Sequence, residues 1–249
     1  MKHIRILEAF AMPEETAADL LQQLQGRYGG GDLTLSIGIP GSTAYPQVHE
    51  SFTALSLAVP ELIRNAIDAE KEGVDGIMVD CMADPGVEVM RETVSIPVLG
   101  PGHTSMHAAA LLGRRFSLLV TTNFSARYFL EHVNRSGLGS RLASCQVVEM
   151  PPEDIGVDPS RTLELLVQAA SEAIVAARAD TLILGCTGFA PFGARLREKL
   201  AGNQLSVPVI DPFAVTINTL ASLIGAGLTH SRLAYPDTGI SKVWRVHPA

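Results

Sequence analysis

Cys81 and Cys186 stand in matched surroundings 105 residues apart, and a matched pair of thiols suits two-sided proton transfer at carbon. In the first, the order is Val74-Asp75-Gly76-Ile77-Met78-Val79-Asp80-Cys81. In the second it is Ala179-Asp180-Thr181-Leu182-Ile183-Leu184-Gly185-Cys186. An aspartate lies six residues before each cysteine, an apolar run lies between, and a proline follows soon after, Pro85 or Pro191. Inverting a stereocentre means removing a proton from one face and returning one to the other. A thiol, with an ordinary pKa of about 8.5, can serve as either acid or base near neutrality. Two thiols flanking one carbon, each at a reach of roughly 3–3.5 Å, would have sulfurs about 7–8 Å apart.

A lone cysteine in an apolar stretch is ordinarily buried packing. Cys145, with no repeated context, reads that way. Three cysteines form no even framework, and no C-x-x-C pair suggests zinc. A catalytic thiolate needs donors or positive charge nearby. Asp84-Pro85 reads as a helix cap with proline in the first turn, and Pro191 as a similar start. Backbone N–H groups at such starts, those of Thr187 and Gly188 above all, could hold a carboxylate or an enolate oxygen.

Strands and helices must position these groups. Apolar strand-like runs cover 4–10, 33–39, 76–79 and 96–99, then 116–120, 146–149, 181–184 and 207–210. Helix-like stretches cover 14–25, 54–72, 87–92, 123–136, 161–178 and 192–200. This alternation predicts parallel sheets covered on both faces. A second repeat, Ser95-Ile96-Pro97-Val98-Leu99-Gly100-Pro101 against Ser206-Val207-Pro208-Val209-Ile210-Asp211-Pro212, has an offset of 111 residues. Two similar α/β lobes follow, with each cysteine just past the C-terminal end of a buried strand, where parallel sheets place ligands. A pseudo-twofold axis would set the cysteines face to face across a cleft.

These motifs resemble the Asp/Glu/hydantoin racemase superfamily, and most closely its hydantoin racemase branch, over about residues 31–219. Cys81-Met82-Ala83-Asp84-Pro85-Gly86 is similar to the first cysteine motif of that branch, and Leu184-Gly185-Cys186-Thr187-Gly188 to the second. Pro97-Val98-Leu99-Gly100, His107-Ala108-Ala109, Arg115-Phe116-Ser117 and Thr121-Thr122 also match. The resemblance implies two pseudo-twofold α/β lobes, each with a four-stranded parallel sheet, and the active site in the cleft between them. Residues 1–102 would form the first lobe and 103–211 the second, with 212–249 returning to the first and a helix near 104–112 crossing between them. It also implies a cofactor-independent racemase or epimerase. Relatives lacking the first cysteine can be decarboxylases, and cis–trans isomerases of the superfamily keep both.

Departures from the family pattern bear on substrate. Met82-Ala83 stand where amino-acid racemases have Asn-Thr. Glu8-Ala9-Phe10-Ala11 stand where hydantoin racemases carry Asn-Pro-Asn-Thr, so amides that could pair with a cyclic imide are missing.

Candidates for substrate contact are therefore Glu8, Pro40, Ser42, Met82, Ala83, Thr121, Thr122, Asn123, Thr187 and Gly188. Each has a plainer alternative. Glu8 could face solvent or cap a helix, Pro40-Gly41-Ser42-Thr43 could be only a turn, and Thr121-Thr122-Asn123 could only cap the next helix. His103 and His107, four residues apart, could face one way on a helix as zinc ligands do. No third ligand accompanies them, which favours structural roles.

The remaining features narrow the class. With 47% hydrophobic and 18% charged residues, the chain can bury a sizeable core. Its formal charge of −7 argues against nucleic acid. The N-terminal residues lack a signal-peptide core and no apolar run reaches a membrane span, so a cytoplasmic location is expected. Gly29-Gly30-Gly31 is no dinucleotide fingerprint, and lysines 2, 71, 199 and 242 lie in no Schiff-base motif. No G-x-S-x-G elbow is present. The expected partner is a small-molecule substrate, with no cofactor or metal and with self-association into a homo-oligomer left open. A non-catalytic two-lobed binding protein is the reading from another class.

Overall fold

The computed structural model describes residues 1–41 and 50–240. Ser42 and Thr43 lie outside them. By internal contacts the chain divides into two units. The first takes the chain up to Gly100 and again from Thr216, and the second is Pro101–Val215. These boundaries differ slightly from the expected breaks after 102 and 211.

In the first unit the strands are β1 (Lys2–Glu8), β2 (Leu33–Gly38), β3 (Gly76–Asp80) and β4 (Val98–Leu99). They form a parallel sheet in the order β2-β1-β3-β4. Helices α1 (Glu14–Tyr28), α2 (Phe52–Lys71) and α3 (Val87–Thr93) connect them. In the second unit β5 (Phe116–Val120), β6 (Leu142–Val147), β7 (Thr181–Leu184) and β8 (Val209–Ile210) form a parallel sheet in the order β6-β5-β7-β8. Each sheet thus has the same order within its unit.

The second unit's helices are α4 (Pro101–Leu112), α5 (Asn123–Arg135), α6 (Pro159–Val175) and α7 (Gly193–Gly202). The last helix, α8 (Pro212–Gly225), begins in the second unit and continues into the first. Helix α4 packs on β5, β7 and β8. Leu220 and Ile224 of α8 lie beside Gly76 of β3.

The central strands explain why they were legible as apolar runs. All of β5 and β7, and all of β3 but Asp80, are buried, as expected when helices cover both faces. The core of the first unit gathers Leu7, Ile77 and Val79 with Leu62, Ala66 and Met90. That of the second gathers Leu119, Leu182 and Leu184 with Leu166, Leu196 and Phe189.

The repeated aspartates have the same job in both units. Asp75 accepts from the backbone N–H of His3 at 2.7 Å, and its own N–H donates to the His3 carbonyl at 2.8 Å. Asp180 accepts from the N–H groups of Arg114 and Arg115 and donates to the Arg115 carbonyl. Each aspartate therefore ties the start of its cysteine-bearing strand to the start of the neighbouring strand. The repeated prolines match too: the Pro97 carbonyl accepts from Ile77 and that of Pro208 from Leu182, both at 2.9 Å.

Two expected helix starts differ in the structure. Asp84 is not a helix cap; it has φ 54°, and α3 begins at Val87 after Gly86 at φ 70°. The reason is a turn closed by the Asp84 N–H on the Cys81 carbonyl at 3.0 Å, which consumes the residues before the helix. Pro191 likewise lies inside a short 3-10 helix, Thr187–Phe192, and α7 begins only at Gly193. The expected strand at 146–149 is β6, which begins earlier, at Leu142. It is an edge strand, half-buried throughout, and its Leu-Ala-Ser-Cys-Gln-Val composition shows little alternation.

Candidate active site

Cys81 is the residue immediately after β3 and is half-buried against the core of the first unit. Cys186 follows β7 by one intervening residue, Gly185, and is half-buried against the core of the second. The turns beyond them correspond. The Cys81 carbonyl accepts from the N–H of Asp84, and the Cys186 carbonyl from the N–H of Phe189, both at 3.0 Å. Cys186 occupies the cap position of the 3-10 helix that contains Thr187 and Gly188. A side chain at Gly188 would stand 3.6 Å from the Cys186 sulfur, so this backbone runs close beside the thiol.

Gly185 shows why the second strand ends as it does. Its N–H donates to the Leu119 carbonyl at 2.8 Å, and a Cβ there would stand 2.6 Å from that same oxygen. Only glycine fits, and the backbone leading into Cys186 is pinned against β5. In the first unit the corresponding residue is Asp80.

The other sequence candidates fall at strand ends or turns. Glu8 closes β1 and is buried, 5% exposed, so the solvent-facing alternative is excluded. Pro40 is buried just past β2. Met82 is buried and Ala83 half-buried in the turn after Cys81. Thr121, just past β5, is buried with its hydroxyl 2.9 Å from that of Ser125. Thr122 takes the cap position of α5, and Asn123 is its exposed first residue. Thr187 is half-buried and Gly188 exposed.

His103 and His107 are exposed on α4, their ring centroids 4.2 Å apart and tilted by 42°, with Nδ1 of His107 2.9 Å from the His103 carbonyl. Among the described residues no group of three or more His, Cys, Asp or Glu side chains could hold a metal ion. Cys145 lies mid-strand in β6, opposite Leu118. Burial pushes its thiol up to about 12, far from any useful acid–base range.

One pair went unread in the sequence. Glu8 of β1 and Asp80 of β3 are direct partners in the sheet register, so both carboxyls leave the same face at the same level. Their side chains are hydrogen-bonded to each other, and Glu8 is held well above the usual carboxylate range by burial, by the charge of Asp80 and by that hydrogen bond. Burial and the neighbouring Asp80 thus favour the protonated form of Glu8, with its proton directed to Asp80. Its Oε1 has no hydrogen-bond partner among the described residues. The one available signal was the mismatch of Asp80 with Gly185 inside otherwise matched repeats.

The duplicated strand-and-turn unit that ends in a half-buried thiol defines a class: a duplicated α/β protein with one cysteine at the C-terminal edge of each sheet. The chain belongs to the Asp/Glu/hydantoin racemase family, whose match covers residues 15–220. A hydantoin racemase from Paenarthrobacter aurescens is 30% identical to it over 188 residues, covering 75% of this chain and 78% of the relative. One from Rhizobium meliloti is 27% identical over 237 residues, covering 94% of this chain and 95% of the relative. In fold, the chain is similar to the allantoin racemase from Pseudomonas fluorescens, with a TM-score of 0.84 and 20% identity over 94% of this chain and 96% of the other. Among the described residues no helix is long and apolar enough to cross a membrane.

Proposed function

We propose that this protein is a cofactor-independent racemase or epimerase in which Cys81 and Cys186 remove and return a proton at a carbon next to a carbonyl. The observation that carries this reading is the correspondence of the two thiols. Each is half-buried past a buried central strand, and each begins a turn closed on its own carbonyl. A single packing cysteine would need no such counterpart, and Cys145 has none. In the reaction one cysteine, as thiolate, takes the proton from the substrate carbon, and the negative charge passes to the adjacent carbonyl oxygen. The other, as thiol, returns a proton from the opposite face. The enzyme ends with thiol and thiolate exchanged, so the opposite enantiomer is processed by the same steps reversed. The backbone beside Cys186, at Thr187 and Gly188, would receive the enolate oxygen.

A small cyclic amide of the hydantoin type is the substrate class we favour. The relatives named above are racemases of hydantoin and allantoin. Glu8, where the hydantoin branch carries asparagine, directs its proton to Asp80 and would offer Oε1 as an acceptor for a ring N–H. Pro40, Ser42, Met82, Ala83, Thr121, Thr122 and Asn123 would supply the remaining contacts.

The test is to incubate single enantiomers of 5-substituted hydantoins, amino acids and 2-substituted dicarboxylates in D2O, following optical rotation and mass together. The reading expects loss of rotation with one deuterium gained at the stereocentre and no other change. Release of carbon dioxide would make the protein a decarboxylase. Geometric isomerisation without deuterium at a stereocentre would make it a cis–trans isomerase. Tight binding without exchange would make it a binding protein.

A further inference from the structure

The two halves differ at one place next to the thiols. Where the first sheet ends on Glu8 opposite Asp80, the register of the second puts Val120 and Gly185. The sheet itself therefore does not need acids there, and burying them is costly unless they are paired. Leu7, Ala9, Ile77 and Val79 pack toward α2 and α3, with Cys81 against the same core, so Glu8 and Asp80 leave the opposite face of the strand ends.

Resting on the two-cysteine reading, we propose that Glu8 and Asp80 are positioning residues that hold one proton between them. The negative charge they retain, one residue before Cys81, keeps that thiol protonated in the resting enzyme, so that the resting thiolate is Cys186. A racemase of this kind needs one thiol and one thiolate at the start of each turnover. Two equivalent cysteines would spend part of the time doubly protonated or doubly ionised, and neither form can invert a centre. An acid pair on one side only breaks that equivalence.

Charged side chains on the neighbouring elements have positions or partners of their own among the described residues, as does Arg5 of β1, which pairs with Glu72. On α2, Glu61 and Arg64 pair with each other, and Glu61 also accepts from the Gly41 N–H. On α3, Arg91 donates to the Val98 carbonyl and the Tyr235 hydroxyl, and Glu88 is exposed. Helix α8 carries no titratable side chain and is capped by Asp211, which accepts from Phe213 and Ala214. The charged residues of α1, Glu14, Glu15, Asp19 and Arg27, are exposed. Asp84 lies in the turn after Cys81, with its carboxylate beside Gly100. His103 and His107 sit on α4, which follows β4.

The test is alkylation of the full chain by iodoacetamide across a pH series, with the rate at each cysteine read separately by peptide mass spectrometry. The expected result is a midpoint for Cys81 about one pH unit above that of Cys186. Asp80→Asn should bring the Cys81 midpoint down and leave Cys186 unmoved. Glu8→Gln, which still donates to Asp80, should leave both unmoved. Equal midpoints in the unaltered protein, or a lower one at Cys81, would overturn the proposal without any variant having to fold. So would a Cys81 midpoint unchanged in Asp80→Asn, or one that Glu8→Gln shifts as far as Asp80→Asn does. Alkylation is measured without substrate, so it succeeds or fails independently of the deuterium exchange that tests the two-cysteine reading.

Discussion

At the scale of single residues, the three cysteines separate by context. Cys145 sits mid-strand with its thiol pushed up to about 12 by burial. Cys145→Ala should therefore keep full turnover, within about twofold, and lose no more than about 1 kcal/mol of stability. Parallel activity and urea-unfolding measurements would check both. Glu8 makes a pH prediction. Its value in the folded protein is raised, chiefly by burial and then by Asp80. Folding therefore takes up a proton at Glu8 between its unfolded value, about 4.3, and the higher folded value. The stabilisation is complete below the unfolded value and is lost as pH rises through the folded one. The urea midpoint of the unaltered protein should decline across that window, and Glu8→Gln should remove this part of the decline. Glu8 was visible in the sequence only as an acid at a strand end. Its partner stands 72 residues away, and no local pattern announces a sheet register.

At the scale of elements, the strands that carry the cysteines were legible because they are buried on both faces and so read as unbroken apolar runs. The turns after them were not. Asp84-Pro85 has the composition of a helix start, yet the chain closes on the Cys81 carbonyl first and enters α3 only at Val87. Pro191 is similarly absorbed by a 3-10 helix. Gly185→Ala tests how tightly such a turn is held. Its methyl would stand 2.6 Å from the Leu119 carbonyl, so the backbone before Cys186 must shift. A stability loss of about 1–3 kcal/mol is expected, with turnover reduced further than the unfolded fraction explains. Unfolding and kinetics on the same sample would show it; parent-like values in both would mean the contact yields freely.

The strand clamp makes a second element prediction. Desolvation pushes the Asp180 carboxyl up, but the N–H groups of Arg115 and Arg114 and the Thr181 hydroxyl outweigh it and leave the group below its ordinary value. Its contribution is present above the unfolded value, about 3.9, and is lost as pH falls through the folded one. Asp180→Ala should cost roughly 1 kcal/mol at neutral pH, as a lost helix cap does, and the deficit should shrink in acid. A urea series at several pH values measures it.

At the scale of the whole molecule, duplication was legible because the two repeats keep their order, and the structure gives each a physical reason. The aspartates clamp strand starts, the proline carbonyls accept from the central strands, and the cysteines open matching turns. Where the repeats diverge, at Asp80 against Gly185, one half carries an acid that the other lacks. A duplicated scaffold with one thiol per half predicts a division of labour by substrate hand. With Cys81→Ser the remaining thiolate, Cys186, can still abstract the proton from one enantiomer and exchange it with solvent. It cannot complete inversion efficiently, because an alcohol is a poor proton donor beside a thiol. Cys186→Ser should show the opposite preference. The decisive measurement is deuterium exchange of each separated enantiomer by each serine variant. The account predicts that each variant exchanges one enantiomer and not the other, with opposite preferences and inversion slowed in both; exchange of both enantiomers by both variants at the parent rate would contradict it.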